Sequence, residues 1–422
     1  SATATGGGSI FIDETDDITL SSVSAGGDVE VTTHSDGTIT VNSVSAGNTV
    51  TLTVLSGTRA PGVGSILAGG ESGSNLSALA AHLVARGDIG TSVNALRTNL
   101  GTLDASAPNG SIYISEADSL LVNTLAAGAD ASVVNASGNL AVNTVAASGR
   151  ATLSAAGGAL TGGAGTSANV TSSSVVLGSR GDIGSSDNYL RLSAGSLDAS
   201  CTEGSLYVRN LASGAMSLGD VSTGQDVRIE GSGDFSLSSV RAGRDVYLTS
   251  SDGSVFSANS GHTNLTSGRD AKIIVGGAVG LNGVPFGVNI PGVLSISASG
   301  SIGGYSVVIV GPNNLVLLNQ PPGKVSNNSP ESGGGGEKKE NQDILRAISN
   351  ADNPFIANVP GFYSRMLLMI VTPDDVKPTK SPFMDADAGS EDFLYVTPVM
   401  EREPEKELVV PPAFLLREGD DE

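Results

Sequence analysis

The sequence predicts an all-β protein, a right-handed parallel β-helix that ends in a mostly irregular C-terminal tail. Three observations lead to this prediction. The 422 residues include 7 tyrosines, 9 phenylalanines and no tryptophan, so bulky side chains are too few to fill a large conventional core. The 57 glycines separate short runs of valine, isoleucine and leucine, a composition typical of short strands joined by tight turns. The chain also repeats itself.

A short repeat recurs at intervals of 19 to 21 residues between neighbouring copies. Its consensus is Ser/Thr-Val-x-Ala-Gly-x-Asp-Val-x-Leu, and its second half alternates polar and apolar residues as a half-buried strand does. A strand with one apolar face cannot bury that face alone, whereas copies stacked along an axis bury it continuously. The predicted strands include residues 28–31, 49–52, 226–229 and 245–248. The turn glycines are Gly26, Gly47, Gly128, Gly224, Gly243 and Gly268, with Ser148 as the one departure.

A longer repeat supports the same architecture. Residues 86–114 recur 94 residues later as residues 180–208 without a gap. We therefore predict that residues 1–318, called the shaft below, form coils of about 20 residues. Roughly 16 such coils at the ~4.8 Å spacing of paired strands would make a rod on the order of 75 Å long.

The composition changes near Gln320. Residues 321–422 hold 12 of the 17 prolines, 19 acidic and 10 basic residues. Residues 319–341 are predicted to be a flexible linker rich in proline and glycine, and residues 342–422 an acidic tail. Asp343 could cap a short helix over residues 344–349.

Three apolar runs in the tail, residues 362–371, 393–399 and 408–416, are predicted to be strands that lack partners in their own segment. Such strands could cap the shaft or add to an open sheet edge of a neighbouring subunit. The residues predicted to dock in this way are Phe362, Tyr363, Met366, Leu368, Phe393, Leu394, Tyr395, Val409, Phe414 and Leu415.

Composition also excludes several classes of protein. A net charge of −21 disfavours partners that are nucleic acids or anionic lipids, which require a basic face. No run reaches the 18 apolar residues of a transmembrane helix. Because the sequence starts at Ser1 without a signal-like segment, we expect a mature product or a fragment. Cys201, the single cysteine, rules out an intramolecular disulfide and is predicted to be a small residue in or beside a coil.

Two Arg-Gly-Asp tripeptides, at 86–88 and 180–182, match the sequence that integrins recognise. Both occupy the same point of the long repeat, immediately before Ile-Gly. We interpret them as turn residues, with glycine for backbone freedom and aspartate for a local hydrogen bond.

Catalytic and metal-binding candidates are weak. Enzymes on β-helices use paired carboxylates with basic residues nearby. Turn chemistry explains the acids here equally well, so we predict no enzyme and no cofactor. The histidines lack metal-ligand spacing, and the Asn-x-Ser/Thr triplets are attributed to chance. The acidic candidates are Asp13, Glu14, Asp16 and Asp17, with the pairs Asp226/Arg228 and Asp245/Arg244; the histidines are His34, His82 and His262; the triplets begin at Asn135, Asn169 and Asn264.

The Ala-Gly-x-Asp-Val-x-Leu turns and the block at residues 87–114 resemble the shaft repeats of filamentous-haemagglutinin-type exoproteins. The resemblance covers about residues 1–318. It implies a right-handed β-helix, export through a partner outer-membrane pore, and adhesive, biofilm or contact-dependent roles at the surface of a Gram-negative bacterium. The chain departs from that family in lacking the N-terminal secretion element and in its tail.

Three functions follow as alternatives. The first is an extracellular structural or adhesive shaft that contacts cell-surface glycans or a host receptor. The second is a self-assembling filament subunit whose tail docks on the next copy. The third is a carbohydrate-active enzyme, a polysaccharide lyase or hydrolase.

Overall fold

A computed structural model shows a parallel β-solenoid of about 13 turns, which confirms the predicted all-β, stacked-coil fold. The structure describes residues 1–55, 64–70, 73–259, 262–280, 286–300, 302 and 315–318, the last four as backbone only. They belong to a compact unit, Ser1–Asn328. Within these ranges, all elements of regular secondary structure are β-strands. The predicted linker, the tail and its short helix lie outside the described residues.

Each early coil consists of three strands that pair with the same three strands of the next coil. β2 pairs with β5, β3 with β6, and β4 with β7, all in parallel. Within these pairs Ile10 lies beside Val29, and Ile18 lies beside Ile39. The turns between the three strands bring the chain round, and the third turn leads to the start of the next coil. The short repeat in the sequence is therefore one coil.

The interior is filled by the apolar side of every strand. In β5, Val29 and Val31 are fully buried while Glu30 between them is exposed. A column of fully buried isoleucines, Ile39, Ile66, Ile89 and Ile112, passes through four successive coils. The side chains are mostly valine, leucine, isoleucine and alanine because the space enclosed by one coil is narrow.

The number of coils expected from the short repeat was too high, because several coils are longer than that repeat. Val145 pairs with Val170, and Val246 with Ala271. The longest of these intervals separates Val44 from its partner Leu76. The strands of these longer coils still pair in parallel. About 13 turns at ~4.8 Å correspond to a length on the order of 60 Å.

The long repeat also has a structural counterpart. Its two copies form β11 and β19, each a strand of 12 residues. Each is preceded by a glycine with positive φ, Gly90 at 66° and Gly184 at 67°. A Cβ at either glycine would lie 2.4 Å from a tyrosine carbonyl oxygen of the next coil. The glycine needed for left-handed backbone is therefore the one after Ile, and not the glycine of the Arg-Gly-Asp tripeptide.

The strands are β1 (Ala2–Ala4), β2 (Ile10–Glu14), β3 (Ile18–Leu20), β4 (Val23–Ala25), β5 (Val29–Thr33), β6 (Ile39–Val41), β7 (Val44–Ala46), β8 (Thr49–Val54), β9 (Ile66–Ala68), β10 (Leu76–Val84), β11 (Leu96–Ala107), β12 (Ile112–Glu116), β13 (Leu120–Ala127), β14 (Ala131–Asn135), β15 (Leu140–Ala147), β16 (Arg150–Ala155), β17 (Leu160–Gly162), β18 (Val170–Ser179), β19 (Leu190–Cys201), β20 (Leu206–Asn210), β21 (Met216–Thr223), β22 (Val227–Gly231), β23 (Phe235–Ala242), β24 (Val246–Ser250), β25 (Val255–Ser257), β26 (Thr263–Ser267), β27 (Ala271–Val275), β28 (Gly287–Asn289), β29 (Leu294–Ala298) and β30 (Leu315–Leu318).

Candidate functional site

Aspartate and serine side chains at one turn of the solenoid form a ladder between coils, called the turn ladder below. Each side chain stands one residue before a strand or a β-bridge and accepts a hydrogen bond from the backbone N–H of the equivalent residue one coil later. Asp88 Oδ1 accepts from Ser111 N at 2.7 Å, and Ser111 Oγ accepts from Asp130 N at 3.3 Å. Asp182 and Ser205 repeat this arrangement at 2.7 and 3.3 Å. These side chains link neighbouring coils.

Both Arg-Gly-Asp aspartates, Asp88 and Asp182, belong to the turn ladder, which supports their interpretation as turn residues. Their arginines make different contacts. Arg86 Nε donates to the Leu55 carbonyl at 3.4 Å, and Arg180 Nη2 forms an exposed ion pair with Glu203 Oε1 at 3.0 Å. One carboxylate oxygen of each aspartate accepts a backbone hydrogen bond from the next coil.

The acidic pairs proposed from the sequence are connected differently in the structure. Arg244 forms a two-pronged ion pair with Asp226, with Nη2–Oδ2 at 2.6 Å and Nε–Oδ1 at 2.7 Å. Arg269 pairs in the same way with Asp245. The pairings Asp226/Arg228 and Asp245/Arg244 were therefore wrong. Arg244 and Arg269 stand directly before the aspartate of their own turn in the sequence. Each one pairs instead with the aspartate of the previous turn, because successive turns lie one above the other.

Asp226 and Asp245 are themselves members of the turn ladder. Their side chains are only 5% and 3% exposed, and each accepts a backbone N–H from the next coil, at 3.2 and 3.1 Å. The hydrogen bond from Arg244 holds the pKa of the Asp226 carboxyl below its usual value. Burial acts to raise the pKa of Asp245, but Arg269 and the Asp270 N–H lower it overall. Both carboxylates are engaged in holding coils together.

This pairing predicts a specific pH dependence for stability. Because the pKa of Asp226 is lower in the folded state than in the unfolded state, its contribution is complete above about pH 4 and is lost as the pH falls through the folded value. Asp226→Asn should therefore be less stable than the wild type at pH 7, and the difference should shrink in more acidic solution. Arg244→Gln should show the same convergence. Denaturant unfolding of the three proteins between pH 7 and pH 2 measures it; a difference that stays constant with pH would contradict the assignment.

The acidic cluster near the N-terminus is dispersed in the structure. Asp13 Oδ1 lies 2.6 Å from His34 Nε2, with both side chains exposed. Glu14 accepts from the backbone N–H of Thr15 at 2.9 Å, and Asp17 accepts from that of Thr38 at 2.7 Å. Each of these contacts is a turn or a coil-to-coil hydrogen bond.

The remaining single residues also have local explanations. His82 Nδ1 lies 3.3 Å from Asp104 Oδ2 one coil away, and His262 is exposed. Within the described residues, no group of three or more His, Cys, Asp or Glu could hold a metal ion. Cys201 is buried at the end of β19, as predicted, and burial raises the pKa of its thiol to about 11.

Asparagines at the triplets Asn169 and Asn264 serve a structural role that the sequence analysis missed. Asn75 and Asn169 precede the two copies of the long repeat by the same number of residues, and Asn264 follows at nearly the same interval. All three are at most 2% exposed. Asn169 Nδ2 donates to the carbonyls of Val142, Asn143 and Gly163, while its Oδ1 accepts from Arg191 N at 3.1 Å. The signal was an asparagine that recurs at nearly equal intervals, at positions 75, 169 and 264.

Arg191 makes further hydrogen bonds to the turn that contains Asn169. Its Nε donates to the Ser167 carbonyl at 2.7 Å, its Nη1 to Asn188 Oδ1 at 3.1 Å, and its Nη2 to the Gly163 carbonyl. Arg97 makes the equivalent contacts in the first copy of the repeat. The conspicuous Leu-Arg pairs of the long repeat thus satisfy turn carbonyls.

A second feature that the sequence analysis missed is a row of outward side chains on five successive coils, called the tyrosine–arginine face: Tyr189, Tyr207, Arg228, Tyr247 and Lys272. Tyr207, Arg228, Tyr247 and Lys272 are register partners in β20, β22, β24 and β27. Arg228 Cζ lies 5.8 Å from the ring centroid of Tyr207 and 4.3 Å from that of Tyr247. The Tyr189 and Tyr207 rings meet edge to face, with centroids 5.8 Å apart.

The face is bordered by paired charges. Arg209 Nη2 lies 2.6 Å from Glu230 Oε2 on the next coil, and Arg209 Cζ lies 5.1 Å from the Tyr189 ring centroid. On the other side is the turn ladder with its Arg244 and Arg269 pairs. Burial raises the pKa of Tyr189 and of Tyr247, with Glu230 and Asp245 respectively acting in the same direction. These tyrosines are neutral at physiological pH.

The ten tail residues predicted to dock on a neighbouring subunit all lie outside the described residues: Phe362, Tyr363, Met366, Leu368, Phe393, Leu394, Tyr395, Val409, Phe414 and Leu415. Their docking therefore stays a prediction. Among the described residues, no helix is long and apolar enough to span a membrane. No protein-family model matches the chain, and no curated protein or solved structure is similar enough to count as a match.

Proposed function

We propose that this chain is a non-catalytic structural and adhesive protein of the cell surface, with the solenoid acting as a rigid shaft. The observation that carries the proposal is the use of the candidate carboxylates. Asp226 and Asp245, the acids best placed for chemistry, are buried, paired with arginine and bonded to the backbone of the next coil. A general acid or base needs a carboxyl group that can reach a substrate proton, whereas these groups hold coils together.

Continuous pairing along the shaft supports a mechanical role. From β1 to β29, parallel pairings and isolated bridges link each described coil to the next. A force applied along the axis is shared by many backbone hydrogen bonds between coils. The side-chain hydrogen bonds of the turn ladder also join one coil to the next along this axis. The outward positions carry mostly serine, threonine and asparagine, a polar surface that suits an extracellular position. Export through an outer-membrane pore of a Gram-negative cell and contact with surface glycans belong to the same proposal.

Self-assembly into a filament is the second candidate, favoured by the apolar runs 362–371, 393–399 and 408–416. An exposed strand edge with apolar side chains accepts another strand. We propose that these runs of one copy add to a strand edge of a second copy.

Deletion of residues 321–422 tests this assembly. We expect the full chain to form filaments or defined oligomers in negative-stain microscopy and sedimentation, and the deleted chain to remain as single short rods. A matched control replaces Val93, which is 94% exposed on a turn, by serine; this change removes an apolar surface group outside the tail and should leave assembly intact. Filaments of the deleted chain would overturn tail docking. A reducing or unsaturated sugar product released from any polysaccharide would overturn the non-catalytic assignment.

A further inference from the structure

Cations are concentrated in one part of the shaft. Residues 1–320 contain 12 Lys and Arg residues, and eight of them lie between residues 180 and 272. Half of these eight charges are neutralised, since Arg180, Arg209, Arg244 and Arg269 form ion pairs. Two of the other four belong to the tyrosine–arginine face.

Arg228 and Lys272 have no acidic partner among the described residues. Arg228 is half-buried between the rings of Tyr207 and Tyr247, and its Nε has no hydrogen-bond acceptor. The Lys272 side chain is exposed and makes no ion pair or hydrogen bond in the described part of the chain. The positive charges of both side chains are therefore not neutralised by an acid of the shaft, so an anionic group that approaches from outside would be bound favourably.

Arg228 and Lys272, the two cations without an acidic partner in the described part of the chain, lie in one row along the shaft. Arg228 pairs with Tyr247 and Tyr247 pairs with Lys272 in the strand register, so the cations are two coils apart. At ~4.8 Å per coil this separation is about 10 Å along the axis, with a tyrosine between them. A ligand that satisfies both cations must be elongated, must run along the solenoid and must carry spaced negative charges.

We propose that the tyrosine–arginine face binds an acidic polysaccharide, with one carboxylate on Arg228, a second on Lys272 and the sugar between them on Tyr247. Guanidinium groups bind carboxylates through paired N–H donors, and tyrosine combines an apolar ring with a hydroxyl that hydrogen-bonds to sugar oxygens. The inference rests on the proposed adhesive function and names the class of ligand for it.

The acids that border the face favour this ligand over a membrane or a nucleic acid. Glu230 lies on one side of the row, and Asp226, Asp245 and Asp270 lie on the other. A planar anionic bilayer or a densely charged phosphate backbone would approach these carboxylates as well as the cations. A single sugar chain is narrow enough to follow the row between them.

The binding of polygalacturonate, with neutral dextran as a comparison, tests the proposal on the full chain by biolayer interferometry. We expect wild-type protein to bind polygalacturonate but not dextran. The complex with polygalacturonate should dissociate as the salt concentration rises, because salt screens exposed charges. Arg228→Gln combined with Lys272→Gln should weaken binding about tenfold or more. Lys272→Gln alone should weaken binding less, and because the exposed Lys272 side chain makes no ion pair or hydrogen bond in the described part of the chain, this variant should keep wild-type stability.

The matched control is Arg150→Gln combined with Arg241→Gln, which removes the same charge from two exposed arginines outside the face. Binding by this control should stay within about twofold of wild type, since general charge steering is screened at physiological salt. Equal losses in the two double variants, or no binding of polygalacturonate, would overturn the inference. Preferential binding to anionic vesicles or to DNA would also overturn it. A protein that fails here but still adheres to cells would leave the proposed adhesive function standing.

Discussion

Replacing Asn169 by alanine is expected to lower the free energy of unfolding by about 2–4 kcal/mol, one of the two largest effects of a single side chain in the shaft. The asparagine is 2% exposed, and its amide bridges three carbonyls and one N–H from separate turns. Alanine would leave the Arg191 N–H buried without its acceptor, whereas the carbonyls of Val142 and Gly163 keep the hydrogen bonds from the Gly163 N–H and Arg191 Nη2. An unsatisfied buried group costs ~1–3 kcal/mol, and the small cavity adds to the loss.

Two further variants make this prediction specific. Asn169→Asp keeps the acceptor for Arg191 N but places a second oxygen against three carbonyl oxygens, so it should destabilise at least as much as alanine. Asn143→Ala is the matched control, because the Asn143 side chain is exposed and its amide bonds to Asn123 at 3.2 Å; we expect a change within about 0.5 kcal/mol. Urea unfolding followed by circular dichroism measures all three. Equal stability of Asn169→Ala and Asn143→Ala would contradict the structural role.

Hydrogen exchange adds a spatial test of the same change. Each coil of a solenoid contacts only its neighbours, so a local defect should open the adjacent coils before the distant ones. In Asn169→Ala, amides of β15, β18 and β19 should exchange faster, whereas those of β2 and β5 should keep their protection.

The sequence was sufficient to predict the fold because the coil repeats. Alternation of apolar and polar residues in strands such as β5 and β24 determines which side faces inward, and the regular period of the short repeat requires stacking. The number of coils was not predictable from the period alone. Extra residues, as between Val145 and Val170, enlarge polar turns and therefore leave no hydrophobic pattern.

The polar contacts were predictable only in kind. Turn aspartates were expected to form local hydrogen bonds, whereas Asp88 and Asp182 accept backbone N–H groups from the next coil. Asp226 was grouped with Arg228 but pairs with Arg244, since this contact joins two coils whose alignment depends on turn length. The tyrosine–arginine face escaped notice for the same reason. Tyr207, Arg228 and Tyr247 are far apart in the sequence, and only the register of β20, β22 and β24 makes them neighbours.

The glycine of the short repeat turned out to be required by stacking and not by backbone conformation. Gly243 has no positive φ, and its N–H donates to the Thr223 carbonyl at 2.9 Å. A Cβ there would lie 2.2 Å from the carbonyl oxygen of Gly224 and 2.8 Å from its carbon. Gly268 stands above Gly243 in the same relation, at 2.0 Å. Turns of successive coils thus approach too closely for any side chain.

Gly243→Ala is therefore expected to destabilise the shaft by about 1–3 kcal/mol, because the clash is with backbone and can be relieved only by moving a coil. Gly214→Ala is the matched control. Gly214 has no positive φ, and a Cβ there would meet no atom within 4 Å. This substitution should leave stability unchanged or raise it by about 0.4–1 kcal/mol, since alanine restricts the unfolded chain.

Ser148, the natural departure from glycine in this column, shows how a side chain is accommodated. Its N–H lies 3.3 Å from the Ala127 carbonyl, whereas the corresponding distance at Gly128 and Gly243 is 2.9 Å. The coil spacing at that turn is wider, so serine is tolerated there. Ser148→Gly should consequently change stability far less than Gly243→Ser, and thermal unfolding of this reciprocal pair separates coil spacing from intrinsic glycine propensity. Equal and opposite shifts in the two variants would show that backbone preference, and not the close approach of turns, sets this position.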